Sequence, residues 1–536
     1  MMDHQPSSEL LSATSVIVTT QQMQAIEATM FREGLPIAAL MEKVAGKIAQ
    51  WISQHFPRDR TAVIGCIVGP GHNGADTLVV ARELYQQGYQ MLLWSPFEQV
   101  KDLTARHKSY VEYLGIRCTG NATDLSFCDL IVDGGFGLGL TRPLSGKLAA
   151  GIQFLNTQTI PVVSIDLPTG LESNTGEVLG SALKADYTLC LGLWKRGLIQ
   201  AQAQPWVGQC HLLPFDVPSV AIQALFADQS VTRCITEAAA IARLPLPRSP
   251  IAHKYTAGRA LLIAGSRQYA GAAVLAGRGA LASGVGMLTI VVPESLRLMV
   301  VSQLPEALVI GATETTDGAI SALPAALDWD RYDSVACGPG LTSTATSVVD
   351  TVLQSNCPVV LDADGLNILS QGDPEGQLRA RRAPTLLTPH LGEFRRLFPQ
   401  QLDVADAPDL AARQAATAAN CTLILKGAMS AIAHADGQLW INTQSTAALA
   451  RGGTGDVLTG LVTGLAAQLY SRERTQQTLL DAAIAAVWWH AQTGRYIATR
   501  NTELGCAAGS IARLLPTVLA EHLSSAISDS THMCQD

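Results

Sequence analysis

The chain has 536 residues, 48% of them hydrophobic and 15% charged, so it can bury large cores and is not a disordered, strongly charged protein. At roughly 100 to 200 residues per domain, this length excludes a single small module and predicts about two to four domains. With 37 basic against 45 acidic side chains, the net charge of -8 excludes a general electrostatic attraction to nucleic acid or to an anionic membrane.

Short apolar runs alternate with helical patterns through the first half of the chain. The runs at 61–68, 129–133 and 161–166 predict buried strands, and the segment 75–87 predicts a helix between the first two. This order is typical of βαβ units and a parallel sheet. Because ligands bind at the carboxyl ends of strands in open parallel sheets, we expect the functional residues there.

A glycine-rich loop, GPGHNGADT, follows the first of these strands and opens a helix. Gly69, Gly71 and Gly74 permit close approach of a ligand, and the helix start offers unpaired N–H groups and a positive dipole end to an anion. The pattern is neither the Rossmann fingerprint nor a Walker loop. A tight turn in which Asn73 merely adopts a left-handed conformation is an equal alternative.

Two further strand ends carry an aspartate before a flexible turn. Asp133 precedes GGFGLGLTRP, and Asp166 precedes LPTG. Either aspartate could simply cap a helix or a turn, which is the usual role of this residue type. Three such loops in one domain nevertheless favour a shared cleft.

Together with the segment 21–46, these loops resemble the N-terminal domain of the YjeF family, the NAD(P)HX epimerases, over roughly residues 16–220. The resemblance implies a Rossmann-like αβα sandwich, which we assign to residues 1–235, that converts (R)-NAD(P)HX into (S)-NAD(P)HX. It implies that Asp166 is the catalytic acid or base and that Asn73, Asp133 and Thr169 hold a potassium ion. The residues implied to contact the hydrated dinucleotide are Asp166 and two loop segments, namely His72, Asn73, Gly74, Ala75, Asp76, Gly137, Leu138, Gly139, Leu140, Thr141, Arg142 and Pro143.

The first loop departs from the NNGGDG pattern of this family. It reads HNGADT over residues 72–77, so that an asparagine at position 72 and glycines at positions 75 and 77 are replaced. Larger side chains at these positions bear on how closely a ligand can approach. A non-catalytic ligand sensor or scaffold in the first half therefore stays an alternative.

A proline-rich stretch at 244–255 is the expected linker to a second domain. Beyond it, a second series of apolar runs predicts another largely parallel sheet. The fold class is therefore α/β, with two domains. The runs of the second series lie at 260–265, 287–292, 334–338, 358–364, 384–388 and 421–427.

The strongest local signal is ARGGTGDVLTGLVTGL at 450–465. Its three clustered glycines leave the backbone free to wrap a phosphate, and the leucines after Asp456 mark the buried face of a helix that begins near that residue. At the helix start, Asp456 can accept a hydroxyl proton as a phosphoryl group is transferred. The alternative is that Asp456 is an N-cap or a first-turn acid that stabilises the helix by about 1 kcal/mol.

Five motifs precede this loop: YAGAAVLAGRGALASGVGMLTI, ACGPGL, LDADGLNIL, TPHLGEFRRL and LKGAMS. The phosphate loop resembles the ribokinase-like superfamily, and with these motifs the resemblance narrows to the C-terminal YjeF domain, the nucleotide-dependent (S)-NAD(P)HX dehydratase, over about residues 250–520. It implies a ribokinase-like αβα domain, which we assign to 236–536. Its implied chemistry is phosphorylation of the ring hydroxyl by ADP, with magnesium neutralising the transferred group, followed by loss of phosphate.

Residue by residue, the resemblance places Ala272, Gly340, His390 and the catalytic Asp456 against the hydrated dinucleotide. It places the adenine nucleotide at Lys426, Gly427, Ala428, Met429, Ser430 and Gly455. Taken alone, the histidine could be a turn residue and the lysine an ordinary solvated side chain. Asp362, Asp364 and Asn367 could support the cleft or a metal, or cap a helix, and we leave them out of the catalytic set.

The two motif series together predict a repair enzyme that epimerises NADHX or NADPHX and dehydrates the S form. A kinase acting on a vitamin-precursor alcohol is the alternative that TPHLGE and GGTGD alone permit. We expect small-molecule substrates, an adenine nucleotide, potassium in the first domain and magnesium with ADP in the second. We expect no nucleic acid and no membrane, and the resemblance implies a homo-oligomer.

Eleven cysteines are spread over both halves without a CxxC pair or a metal-ligand spacing. This distribution favours buried thiols in a reducing compartment over a disulfide framework, so we expect a cytoplasmic location. The N-terminal segment has no basic stretch followed by an apolar one, and no apolar run approaches the roughly 18 residues of a membrane span. We therefore expect a soluble, untargeted chain.

Overall fold

The computed structural model describes residues 13–227, 230–404 and 407–532. Its internal contacts divide the chain into two units, Met1–Arg233 and Cys234–Asp536. Each unit is built on its own series of parallel strands, as the two series of apolar runs predict.

The proline-rich stretch at 244–255 lies inside the second unit, so its prediction as the linker is wrong. Side chains of that unit hold it in place. Arg248 donates a hydrogen bond of 2.8 Å to Gln468, and Arg472 donates one of 2.8 Å to the carbonyl of Pro245. Prolines restrict the backbone but do not prevent a segment from packing against the rest of its domain. For this reason the proline content alone led to a wrong prediction of a linker.

The main sheet of the first unit has seven strands, all parallel, in the order β4-β3-β2-β5-β6-β7-β9. A short separate strand, β1, pairs in parallel with β8 and antiparallel with β10. The predicted strands at 61–68, 129–133 and 161–166 are confirmed as β2, β5 and β6. The strands are β1 (Val16–Val18), β2 (Val63–Val68), β3 (Gln90–Trp94), β4 (Arg117–Thr119), β5 (Leu130–Gly134), β6 (Val162–Ile165), β7 (Tyr187–Leu191), β8 (Trp194–Lys195), β9 (Gln209–Leu213) and β10 (Thr232–Cys234).

Helices cover both faces of this sheet. Alternate residues of β2 point to opposite sides, so that Ile64 and Cys66 pack with the helices α2 and α3 while Ile67 packs with α5. Burial on both faces is why these strands read as continuous apolar runs rather than as alternating ones. The helices are α1 (Thr20–Arg32), α2 (Ile37–His55), α3 (His72–Gln86), α4 (Asp102–Tyr113), α5 (Gly146–Leu155), α6 (Gln204–Val207) and α7 (Ser219–Leu225).

The second unit has a mixed sheet in the order β14-β13-β12-β11-β15-β16-β17-β18-β19-β20. Its strands are parallel from β13 to β18, and β14, β19 and β20 run antiparallel to their neighbours. All six predicted runs are strands. The strands are β11 (Arg259–Ile263), β12 (Met287–Pro293), β13 (Leu308–Glu314), β14 (Ile320–Ala322), β15 (Ser334–Cys337), β16 (Val359–Leu361), β17 (Thr385–Leu387), β18 (Thr422–Leu425), β19 (Ser430–Ala433) and β20 (Leu439–Asn442).

The helices of the second unit are α8 (Glu237–Ile241), α9 (Ala270–Ala282), α10 (Arg297–Gln303), α11 (Thr346–Gln354), α12 (Asp364–Leu369), α13 (Pro374–Ala380), α14 (Leu391–Leu397), α15 (Pro408–Ala419), α16 (Thr454–Tyr470), α17 (Gln477–Asn501) and α18 (Ala508–His532). Among them, α16 and α9 approach each other at glycines. A side chain on Gly460 would begin 1.8 Å from the carbonyl oxygen of Ala276, and one on Gly279 would begin 2.2 Å from that of Val457. This contact fixes the first turns of α16 against α9.

Within the described ranges, every helix is too short or too polar to span a lipid bilayer. Among the described cysteines, Cys66, Cys118, Cys128, Cys190, Cys210, Cys337, Cys357, Cys421 and Cys506 are free thiols, and most of these are buried.

We expect Gly460→Ala to destabilise the second unit by about 1–3 kcal/mol, because the added methyl group overpacks the contact between α16 and α9. The control is Gly46→Ala in α2, where a side chain would meet nothing within 4 Å. Since alanine favours a helix interior, this variant should gain about 0.5–1 kcal/mol. Urea unfolding measures both, and equal stabilities of the two variants would contradict the close approach of the helices.

Candidate active sites

The carboxyl ends of β2, β5 and β6 meet at one edge of the first sheet, and each is followed by one of the three predicted loops. A cavity of about 790 Å³ opens at this edge. The predicted site residues that line it are His72, Asn73, Asp76, Gly137, Leu138, Gly139 and Asp166. Within the described part of the chain, Gly74, Ala75, Leu140, Thr141, Arg142 and Pro143 are not among the lining residues.

Two of the three departures from the family's loop pattern lie away from this cavity. Ala75 is fully buried in the core. The Thr77 hydroxyl donates a hydrogen bond of 2.8 Å to the Asn73 carbonyl. It also occupies the space beside Gly134, because a Cβ atom added to Gly134 would lie 1.6 Å from the hydroxyl oxygen. His72 does face the cavity, where burial and the nearby Lys101 lower its pKa.

The predicted potassium ligands are only partly brought together. Asp133 is fully buried, and both of its oxygens accept hydrogen bonds. Thr169 donates two of these bonds to Asp133, from its hydroxyl at 2.6 Å and from its amide at 2.8 Å. The Ser164 hydroxyl donates a third at 2.8 Å, and the Gly135 amide donates a fourth at 3.1 Å. Burial raises the pKa of Asp133 while these bonds act in the opposite direction. Asn73 instead donates its Nδ2 to the carbonyl of Ile165 at 3.2 Å.

Asp166 has a charged partner that the sequence analysis missed. Its Oδ1 lies 2.6 Å from Nζ of Lys195, and the two side chains are only 10% and 2% exposed. The signal was present in the sequence, because Lys195 and Arg196 interrupt an otherwise apolar run, TLCLGLWKRGLI. A lysine inside such a run must find a partner if the run is buried.

Two more carboxyl groups, Glu27 and Asp76, line the same cavity as this pair. Burial raises the pKa of Asp76 well above its usual range, and the neighbouring Asp166 and Glu27 add to the effect. Burial also raises the pKa of Glu27, against the influence of Lys195. The cavity therefore holds protonatable acids beside an ion-paired carboxylate, an arrangement that can both donate and accept protons.

In the second unit, the predicted site residues Gly340, His390 and Lys426 follow the carboxyl ends of β15, β17 and β18. Gly340 has a positive φ of 66°, and a side chain on it would begin 3.0 Å from the Cβ of Ala272, so these two predicted residues are neighbours. His390 caps α14, because its Nδ1 accepts a hydrogen bond of 3.0 Å from the Gly392 amide. The Lys426 amide donates to the Pro389 carbonyl at 2.8 Å.

Lys426 is a paired lysine rather than an ordinary solvated one. Its Nζ lies 2.8 Å from Oδ1 of Asp362, and Oδ2 of that aspartate accepts a bond of 2.7 Å from Thr459. Burial alone would raise the pKa of Asp362, but the ammonium and these hydrogen bonds keep it below its usual value. Burial likewise opposes the charge of Lys426, yet Asp362, Glu393 and Asp456 raise its pKa. Asp362, which the sequence analysis left outside the catalytic set, therefore organises this site.

The glycine loop begins α16 two residues earlier than predicted. Gly453, with a φ of 90°, is the N-cap, and no side chain caps this helix end, so Asp456 is not the capping residue. The Thr454 hydroxyl fixes the turn by donating bonds of 2.9 Å to two preceding carbonyls. A side chain on Gly455 would begin 3.6 Å from Nζ of Lys426, so the lysine lies beside the loop.

Asp456 titrates far from its usual range. Burial raises its pKa to about 7, Asp362 adds to the effect, and Lys426 opposes it. The remaining predicted nucleotide residues, Gly427 to Ser430, form the turn between β18 and β19, in which the Ser430 hydroxyl donates to the Gly427 carbonyl at 3.3 Å. The site thus combines a flexible backbone turn, a buried ammonium and a carboxylate able to accept a proton near neutral pH.

Two family models match the chain: one described as YjeF-related protein N-terminus over residues 37–197, and one described as NAD(P)H-hydrate dehydratase over 260–517. The bifunctional NAD(P)H-hydrate repair enzyme Nnr of Thermosynechococcus vestitus is 50% identical over 94% of this chain and 97% of its own. The enzyme of the same name from a Synechocystis species is 47% identical over 93% and 94%. A solved ADP/ATP-dependent NAD(P)H-hydrate dehydratase from Bacillus subtilis, co-crystallized with ATP/Mg2+, is 34% identical, covers 54% of this chain and 98% of its own, and has a TM-score of 0.45.

We expect Asp362→Asn to destabilise the second unit by about 3 kcal/mol, because it leaves the Lys426 ammonium without its counter-charge. The matched control is Asp350→Asn, an exposed aspartate of α11, which should change stability by less than about 0.5 kcal/mol. The midpoint of urea unfolding compares the two. A loss in Asp362→Asn no larger than in the control would show that the ion pair contributes nothing.

Proposed function

Because this chain belongs to the family of bifunctional NAD(P)H-hydrate repair enzymes, we propose that it converts (R)- into (S)-NAD(P)HX and dehydrates the S form to NAD(P)H. We assign the epimerase to residues 1–235 and the dehydratase to 236–536. The observation that carries this proposal is that each unit has a buried aspartate and a buried lysine among glycine loops at the carboxyl edge of its sheet. Relatives that match over both domains favour repair over the kinase alternative.

For the epimerase, we propose that Asp166 moves a proton at the hydroxyl of the hydrated ring. It forms an ion pair with Lys195, and a carboxylate can accept a proton. Burial raises the pKa of Asp76, which lines the same cavity, so this side chain is the proposed group that returns a proton. The loops at 72–76 and 137–143 are the proposed contacts of the dinucleotide.

We propose potassium at Asn73, Asp133 and Thr169. The donor set fits this ion, since carboxylate, amide and hydroxyl oxygens suit hard cations. Asp133 already holds the turns after β5 and β6 through the amides of Gly135 and Thr169. When bound, potassium supplies a positive charge beside these turns.

For the dehydratase, we propose that Lys426 to Ser430 and Gly455 bind ADP and that Ala272, Gly340 and His390 contact the hydrated ring and its carrier. Asp456 accepts the proton of the ring hydroxyl as the phosphoryl group is transferred to that oxygen. The poor leaving group becomes phosphate, and its departure restores the double bond. The Lys426 ammonium, beside Gly455, lies where charge develops on the transferred group.

Magnesium fits this second site as a nucleotide-bound ion. Within the described residues, no cluster of three or more histidine, cysteine, aspartate or glutamate side chains forms a metal site. Magnesium is commonly held by substrate phosphates and one or two carboxylates, and Asp364 is a carboxylate at this edge. When bound, the ion would neutralise charge on the transferred phosphoryl group.

We also propose a reducing, cytoplasmic location, which the buried free thiols of Cys66, Cys337 and Cys421 support. The predicted absence of nucleic-acid and membrane partners agrees with the net charge of -8. The homo-oligomer that the resemblance implies stays a prediction.

The proposed division of labour predicts opposite effects of two variants. We expect Asp166→Asn to lose at least about 100-fold in recovery of NADH from (R)-NADHX while recovery from (S)-NADHX is kept, and Asp456→Asn to lose both. With ADP or ATP and magnesium, the absorbance of the product at about 340 nm reports each rate. In Asp456→Asn, chromatography of the two epimers should still detect R-to-S conversion. A wild-type chain that recovers neither epimer would refute the proposal.

The raised pKa of Asp456 predicts the pH dependence of dehydration. Because the base must be deprotonated, kcat/KM for (S)-NADHX should fall as the pH drops through about 7, by roughly tenfold per unit below that value. Above it the rate should level off. Initial rates between about pH 5.5 and 9 measure this limb, and a profile that is flat down to the lowest pH would contradict the assignment of Asp456 as the base.

A further inference from the structure

We propose that Lys195 is a positioning residue of the epimerisation site: its ammonium fixes one oxygen of Asp166, so that the other oxygen faces the loop at Gly137. The proposal rests on the function proposed for the first domain. Lys195 lies outside the three predicted loops and is not among the predicted site residues.

The first step is the location of Lys195. It lies in β8, opposite Val18 of β1, and its side chain is 2% exposed. Around it, Leu191 and Leu193 belong to the same apolar core as β1. Removing an ammonium from water is strongly unfavourable unless a counter-charge and hydrogen-bond acceptors replace the water. Apolar packing could be provided by an uncharged side chain, so the charge itself needs an explanation.

The second step is the contact with Asp166. The Lys195 ammonium lies 2.6 Å from Oδ1 of Asp166 and also donates to the carbonyl of Leu191. The amide of Leu191 donates to the same Oδ1 at 3.2 Å. One oxygen of the carboxylate is therefore engaged by two donors, the Lys195 ammonium from β8 and the Leu191 amide at the end of β7.

The third step is the position of the other oxygen. Oδ2 of Asp166 lies 3.3 Å from the point at which a side chain on Gly137 would begin, and Cγ of Asn73 lies 3.5 Å from the same point. Gly137, Asn73 and Asp166 all line the cavity. The absence of a side chain at Gly137 thus leaves space in front of Oδ2, on the side where the proposed substrate loops meet.

The backbone of Asp166 agrees with a held carboxylate. Its φ is 68°, in the left-handed region that non-glycine residues rarely adopt, and its amide donates to the Leu189 carbonyl at 2.8 Å. Such a conformation persists only where surrounding contacts hold it, and it occurs preferentially at functional sites. The bonds to Oδ1 are among those contacts.

The charges around the pair explain why a cation is needed. Asp166 is faced by Glu27 from α1, Asp76 from α3, and Cys190 and Lys195 from the segment of β7 and β8. Close carboxyl groups disfavour each other's ionisation, so without a cation they would share protons. Burial opposes the charge of Lys195, but Asp166 leads the acidic groups that raise its pKa. A lysine that stays protonated is a counter-ion and not a nucleophile.

The test uses the full chain, in which recovery of NADH from (S)-NADHX is an internal control for folding and assay. We expect Lys195→Met to lower kcat for (R)-NADHX about 100-fold, with a change in KM of less than about threefold and an unchanged rate from the S epimer. Lys195→Arg keeps the charge and should retain at least about a tenth of the wild-type kcat. Lys43→Met, an exposed lysine of α2 that pairs with Asp216, is the matched control and should behave as wild type.

A double variant separates positioning from an independent catalytic role. Because Lys195 acts through Asp166, adding Lys195→Met to Asp166→Asn should lower the remaining rate by less than about twofold. Lys195→Gln, which keeps a hydrogen-bond donor without the charge, replaces Lys195→Met if that variant fails to fold, and the same loss is expected. If the wild-type chain converts (R)-NADHX and Lys195→Gln keeps full activity, the inference is overturned. A further loss of about 100-fold in the double variant would also overturn it, and so would a substrate trapped covalently on Lys195 by borohydride. Failure of the wild-type chain to convert (R)-NADHX would instead refute the proposed function.

Discussion

Both sites depend on the burial of a lysine beside an aspartate at the carboxyl edge of a parallel sheet. The desolvation of each ammonium is unfavourable, and the pairs Lys195 with Asp166 and Lys426 with Asp362 offset it. The same interaction serves the two chemistries differently. In the first unit, the aspartate of the ion pair is itself the proposed acid or base. In the second unit, the proposed base is Asp456, which lies outside the ion pair and whose pKa burial raises to about 7. The position of each lysine thus decides which carboxyl group is ion-paired.

Glycine contacts bring the functional segments close enough for these interactions to form. In the first unit, Thr77 lies where a side chain on Gly134 would begin, which joins the start of α3 to the end of β5. In the second unit, the approach of α16 to α9 at Gly460 fixes the helix whose first turn contains Asp456. In the first unit, the contact between Thr77 and Gly134 also helps to explain why two of the three changes in the HNGADT loop leave the cavity lining unaltered. The side chains at 75 and 77 lie in the interior, and only His72 faces the cavity.

The strands that the sequence predicted are those that helices bury on both faces. Their apolar residues are consecutive, so the pattern is local and complete in the sequence. The strand β13 was missed because most of its residues are only partly buried. Length does not separate the missed β14, β19 and β20 from the predicted β16, β17 and β18, because all six have three or four residues, but the missed strands run antiparallel to their neighbours. The stretch at 244–255 was mistaken for a linker because proline content reports restricted backbone and not the tertiary contacts of Arg248 and Arg472.

The sequence by itself determined the α/β class, the positions of the aspartates at strand ends and the glycine loops, and through its motifs the family. These features are local, since a strand end, a turn and a helix start are specified by neighbouring residues. The tertiary structure decided which aspartate is paired, which carboxyl groups share a cavity, and that Lys195 and Asp362 belong to the sites. Those facts depend on side chains that are distant along the chain, and on burial, which sets the energy of a charge but is a property of the folded protein alone.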